Sequence, residues 1–164
     1  MCFDSFKNPI SKSAYLHRDK CVFSSVFHPL YQQLIMPKQK TITRGKLVSK
    51  LDNVFSKFIR QRGSRSDIAQ CFTCGKYDHW KKMQCGHFRS RQAYSTRWDE
   101  INCQVQCVGC NMFKQGEQYL FAVNLDQKYG EGTATKLYYK SIKLTKYSMI
   151  DLREKLEYYQ QKIL

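Results

Sequence analysis

Acidic side chains are scarce in this sequence. Thirteen aspartates and glutamates face 28 lysines and arginines in 164 residues, a formal charge of +15 at pH 7. Self-repulsion of this size opposes compaction, which points to a polyanionic partner such as a nucleic acid. The competing reading is an ordinary solvated, lysine-rich surface. Long apolar runs are also missing. None approaches the roughly eighteen residues of a membrane-spanning helix, so no membrane partner is expected. The opening MCFDSFKNPISK lacks the unbroken apolar core of a secretion signal. With no such signal, a cytoplasmic protein in a reducing compartment is expected. There is no internal repeat or low-complexity tract, and the length suits one domain.

The charge that is present sits unevenly. Residues 36–98 carry 15 basic and 3 acidic side chains, whereas the two flanks are close to balanced. The basic middle is therefore the expected nucleic-acid face. Residues 1–35 show no sustained helical or strand period and are interrupted by Pro9 and Pro29. Met36 opens MPKQKTITRGK, which reads like a second protein start. Residues 1–40 are therefore expected to be a poorly ordered or dispensable extension, and residues 41–164 the folded domain.

Helical periodicity begins after Thr43. Leu47, Val48, Leu51, Val54, Phe55, Phe58 and Ile59 share one face, with Thr43 as N-cap and Gly63 beyond the C-terminus. GSRSD then reads as a polar loop. Downstream, NMFKQGEQYLFAVNLDQKYG has helical character with Tyr119, Leu120 and Val123, and Gly116 marks either a kink or the point after which the helix begins. Thr133 is the expected cap of a short helix over TATKLYYKSIKL. Ser148 with Asp151 three residues on predicts a capping box for a last helix, with Ile150, Leu156, Tyr159 and Ile163 as its buried stripe.

The eight cysteines carry the chemistry. Cys71-x2-Cys74 and Cys107-x2-Cys110 each place two thiolates at one turn, the spacing of a tetrahedral zinc site. Accidental spacing of free buried cysteines is the alternative. Cys85 and Cys103 fall outside these turns and read as small buried residues rather than ligands. Between the pairs, HWKKMQCGHF predicts a strand ending at Gly86-His87, RSRQAYSTRWDE an exposed loop, and INCQVQC a returning strand. A helix is expected after Cys110. The fold class is therefore α+β, with a two-stranded unit framed by zinc and flanked by helices.

The combination C-x2-C … GHF … RWDEINCQVQC-x2-CN-x2-K-x-G resembles the HNH, or His-Me finger, endonucleases, and within them is similar to the phage NinG/Rap recombination nucleases over about residues 44–130. The resemblance implies a ββα-metal core and a structure-specific endonuclease acting on branched DNA, including Holliday junctions, flaps and forks, during phage recombination. It implies His87 as the general base that activates water and Asn102 as the residue steadying the loop. Asn111 takes the place of the ligand for a catalytic Mg2+ or Mn2+, and Lys114 matches the lysine of the following helix. An unperturbed imidazole, with a pKa of about 6.5, suits water activation near neutral pH.

Two departures from the pattern stand out. Gly86 and Gln84 occupy positions where relatives can carry metal ligands, so Asp99 or Glu100 is the candidate source of the missing carboxylate, with capping or pairing with arginines as the competing reading. Arg89, Arg91 and Arg97 flank the site as candidate phosphate contacts, and Lys114 joins them as a candidate DNA-binding residue. Tyr94 and Trp98 are candidates for stacking on unpaired bases, with burial as the competing reading. Other partners implied are a second copy of the chain and phage or host recombination proteins, in the host cytoplasm. A zinc-stabilised DNA- or RNA-binding protein without catalysis is the alternative function.

Overall fold

The computed structural model describes residues 41–163. The expected extension over residues 1–40 lies outside these. The described chain is mixed α and β, with two small antiparallel sheets set among five helices.

Helix α1 (Arg44–Arg62) begins where the Thr43 side chain accepts a hydrogen bond from the N–H of Lys46. It buries Leu47, Val48, Leu51, Phe55, Phe58 and Ile59, the expected stripe. Gly63 caps it at φ −104°, a conformation open to any residue. GSRSD is not a loop but a hairpin. Strands β1 (Ser64–Arg65) and β2 (Ile68–Gln70) join through Ser66 and Asp67, both at positive φ. That turn is stabilised by tertiary contact, because the Asp67 carboxylate and carbonyl accept from the indole and backbone N–H of Trp80. Strand β3 (Tyr77–His79) completes this sheet.

The second sheet pairs β4 (Gln84–His87) with β5 (Cys103–Gln106), placing Cys85 opposite Val105 and His87 opposite Cys103. The connection expected as an exposed loop instead contains a helical turn, α2 (Tyr94–Arg97), and buries Trp98. Aromatic packing draws it in: Trp98 meets Tyr94 and Tyr147 edge-on at 5.6 Å each.

After β5 the chain makes one wide helical turn, Gly109–Phe113, in which the N–H of Lys114 reaches the carbonyl of Gly109. Gln115, Gly116 and Glu117 all have positive φ, so helix α3 (Gln118–Tyr129) starts only after Gly116. Its buried residues are Phe121 and Leu125, while Tyr119 and Leu120 are exposed. Helix α4 (Thr133–Ser141) is capped by Gly132 at φ 80° rather than by Thr133, whose hydroxyl donates to the Gly130 carbonyl.

Helix α5 (Met149–Gln161) carries the expected Ser148–Asp151 capping box. Its stripe is Leu152, Leu156 and Tyr159, at i, i+4 and i+7, with Ile163 packed partly against the core. Ile150 was expected in that stripe but is 65% exposed, because it lies off that face. Helix α5 packs on α1, where the Tyr159 ring meets Phe55 edge-on at 4.8 Å.

Candidate functional site

The two cysteine pairs come together. The sulfurs of Cys71, Cys74, Cys107 and Cys110 lie within 4.8 Å of one another, and those of Cys74 and Cys107 are 3.8 Å apart. Backbone donors support them: the N–H of Cys107 points at Cys71 Sγ, at 3.3 Å, and the N–H of Cys110 at Cys107 Sγ, at 3.5 Å. Gly75, at φ +76°, makes the first turn possible and returns its N–H to the Cys71 carbonyl.

Burial opposes ionisation of Cys71, but N–H donors from Cys74, Cys107 and Thr73 and the Thr73 hydroxyl outweigh it, bringing its pKa down to about 6. Burial first, and then the neighbouring thiols, push Cys110 up to about 12. Four sulfurs this close cannot all ionise without a cation among them. With N–H groups already aimed at the sulfurs, the donor set could hold a tetrahedral structural metal such as zinc.

His87 ends β4 and lines a pocket of 330 Å³ together with Asp52 and Arg60 of α1, Gln84, Arg91 and Asn111. Its Nδ1 lies 3.3 Å from the Cys85 carbonyl and its Nε2 lies 3.2 Å from the Arg97 carbonyl. Burial, followed by the positive charge of Arg91, lowers its pKa to about 4. The ring is therefore neutral at pH 7 and less basic than the sequence alone suggests. Asn111 donates its Nδ2 to Gln84 Oε1 at 2.5 Å.

Asn102 is fully buried. Its Oδ1 accepts from the Arg89 N–H at 2.7 Å, and its Nδ2 donates to the carbonyls of Arg89 and Thr96. It thus holds both ends of the β4–β5 connection.

The remaining sequence candidates divide. Arg91 is exposed at the pocket. Arg89 donates to Ser141 and lies over the Tyr138 ring. Arg97 is committed internally, donating to both carboxylate oxygens of Asp52 at 3.0 and 2.6 Å. Lys114 pairs with Glu117 at 2.7 Å.

Asp99 and Glu100 do not line the His87 pocket. Asp99 accepts from the N–H groups of Ile101 and Asn102 and pairs with Lys140. Glu100 pairs with Arg62 and Lys162. The sequence of this connection supports either orientation; in the structure Asp99 is held by the N–H groups two and three residues on, and Glu100 by its two cations, so neither acid reaches the pocket.

The carboxylate that does reach the pocket is Asp52, which sequence reasoning missed. It is one of only three acids in the basic stretch over residues 36–98, and that is the one signal it gave. Both its oxygens are occupied by Arg97, and Oδ1 also accepts from Trp98 Nε1 at 2.9 Å. The fit to a hard divalent ion is therefore partial, since Mg2+ normally takes one or two free carboxylates with substrate phosphates.

Gly86 also finds its reason. A Cβ there would fall 2.0 Å from Gln106 Oε1 and 2.6 Å from its Cδ. Gln106 is fully buried and donates to the Gly116 carbonyl at 2.8 Å, so the space cannot be given up cheaply.

These features define a class: an α+β protein with a four-cysteine cluster able to hold a metal, braced against a two-stranded sheet that ends in a histidine pocket. Residues 32–164 match the family model described as bacteriophage lambda NinG protein, and the chain belongs to that family. The match extends both ways beyond the segment that carries the resemblance. No curated protein and no solved structure matches the chain significantly. Among the described residues no helix is long and apolar enough to cross a membrane.

Proposed function

We propose that this NinG-family protein is a structure-specific endonuclease that hydrolyses phosphodiesters in branched DNA, with His87 as general base inside an HNH-like ββα core framed by zinc. The observation that carries the reading is the convergence of His87, Asn111 and the exposed Arg91 on one pocket, with Asn102 fixing the intervening connection.

In this reading Arg91 binds the phosphate, and Asn111 presents its amide oxygen because its Nδ2 is tied to Gln84. His87 must take the proton of the attacking water, which requires one ring nitrogen to leave its carbonyl neighbour as substrate enters. A bound phosphodiester favours that step, since its negative charge offsets that of Arg91 and raises the basicity of the ring. Mg2+ or Mn2+, recruited with the DNA phosphates, would supply charge neutralisation at the phosphate.

The test is cleavage of flap, fork and four-way DNA with Mg2+ or Mn2+. Wild type should cut, and a folded His87→Ala variant should lose at least about a hundredfold in rate. Undiminished cutting by that variant removes His87 from the chemistry.

A second reading is binding without hydrolysis. It is favoured by the two occupied ring nitrogens of His87 and by the locked Asp52 carboxylate. It predicts salt-sensitive DNA binding with no product at any divalent-ion concentration.

A further inference from the structure

We propose that Cys85, His87 and Cys103 form a second metal site, specific for a thiophilic ion and separate from the four-cysteine cluster. The side chains share one face of the β4–β5 sheet. Cys85 and His87 are two residues apart on β4, and Cys103 is the direct cross-strand partner of His87. One ligand atom from each lies within 4.8 Å of the other two, the same limit met by the four-cysteine cluster. Tetrahedral zinc with sulfur and nitrogen ligands needs separations of about 3.5 to 3.8 Å, so a contraction of about 1.3 Å at most closes the site.

Two further observations point to a cation. Both ring nitrogens of His87 face carbonyl oxygens. A neutral imidazole has only one N–H, so one of these contacts sets a lone pair against an oxygen. A metal taking one nitrogen lets the other donate to its carbonyl, the usual arrangement around a ligating histidine. The second observation is access. Cys85 and His87 line the 330 Å³ pocket, which leaves a fourth coordination position for water. Two thiolates and an imidazole select Zn2+, Co2+ or Cu+ over Mg2+.

The consequence for function rests on the nuclease reading above. An ion held here takes the lone pair that water activation requires, so thiophilic metal and catalysis exclude each other at His87.

The experiment uses the full chain, stripped of metal and titrated with Co2+. Wild type should bind about two equivalents in thiolate-ligated sites, each seen by sulfur-to-cobalt charge-transfer absorption. Cys85→Ser, Cys103→Ser and His87→Gln should each retain about one, with the far-ultraviolet circular dichroism of the wild type. One equivalent in wild type, or two with unchanged spectra in the folded variants, overturns the proposal. Three variants are used because Cys103 is fully buried and its substitution alone risks misfolding; a wild-type count of one overturns the proposal even if all three misfold. Separately, Zn2+ added to Mg2+-supported cleavage should inhibit as the second site fills. Absence of cleavage altogether defeats the nuclease reading and leaves the metal count standing.

Discussion

Asp52 accepts from three donors at once, the Nε and Nη2 of Arg97 and the indole N–H of Trp98. The pair is mostly buried, with side chains 16% and 19% exposed. Removing the acid strands a guanidinium, so Asp52→Ala should cost about 3 kcal/mol in urea unfolding, and Arg97→Ala a similar amount. Gly86→Ala forces the buried Gln106 side chain aside and should cost about 1 to 3 kcal/mol, read from the same unfolding midpoint.

His87 makes a pH prediction. Its folded pKa, lowered to about 4 by burial and by Arg91, lies below the unfolded value of about 6.5. Between those values the unfolded chain takes up a proton that the native ring refuses. Stability is therefore level above about pH 6.5 and falls by up to about 3 kcal/mol as the pH drops toward 4. A His87→Gln variant should be flatter across that window in thermal melts at a series of pH values.

At the scale of elements, α1 and α5 form the main helical contact, and Tyr159 is its centre. It packs on Phe55 and Phe58 and donates its hydroxyl to the Trp98 carbonyl at 3.3 Å. Tyr159→Ala should cost about 3 to 5 kcal/mol, whereas Tyr159→Phe, which loses only the hydrogen bond, should cost about 1 kcal/mol in the same unfolding assay.

The elements differ in how much of them the sequence revealed. Helix α1 and the α5 cap were legible because a 3.6-residue stripe and a Ser-x-x-Asp box are local signals. The β1–β2 hairpin and the turn α2 were not, because each is held by a partner distant along the chain: Trp80 on Asp67 for the hairpin, and Asp52 of α1 on Trp98 for the turn.

On the scale of the whole molecule, charge and metal dominate. Under the proposed function, DNA affinity should fall steeply and linearly on a log–log plot against salt, with a slope of about −0.9 per phosphate neutralised on duplex DNA. Arg91→Ala should reduce that slope by about one, while folded Arg97→Lys should leave it nearly unchanged because Arg97 is spent on Asp52. With zinc loaded into the four-cysteine site, its removal by a chelator should lower the melting temperature and detach the Cys71–Cys74 turn from the β5 end, seen as new thiol reactivity.

The sequence by itself determined the pieces whose cause is local: the cysteine spacing, the histidine at a strand end, the α1 stripe, and the membership signalled by the C-x2-C and CN-x2-K-x-G patterns. Tertiary structure alone decided which acid faces the histidine. Asp99 and Glu100 are close to the site along the chain but turn to their own backbone and to lysines or arginines, while Asp52, 35 residues from His87, arrives on helix α1. It also decided that Cys85 and Cys103 meet His87 on one face, because strand register is a property of two strands together.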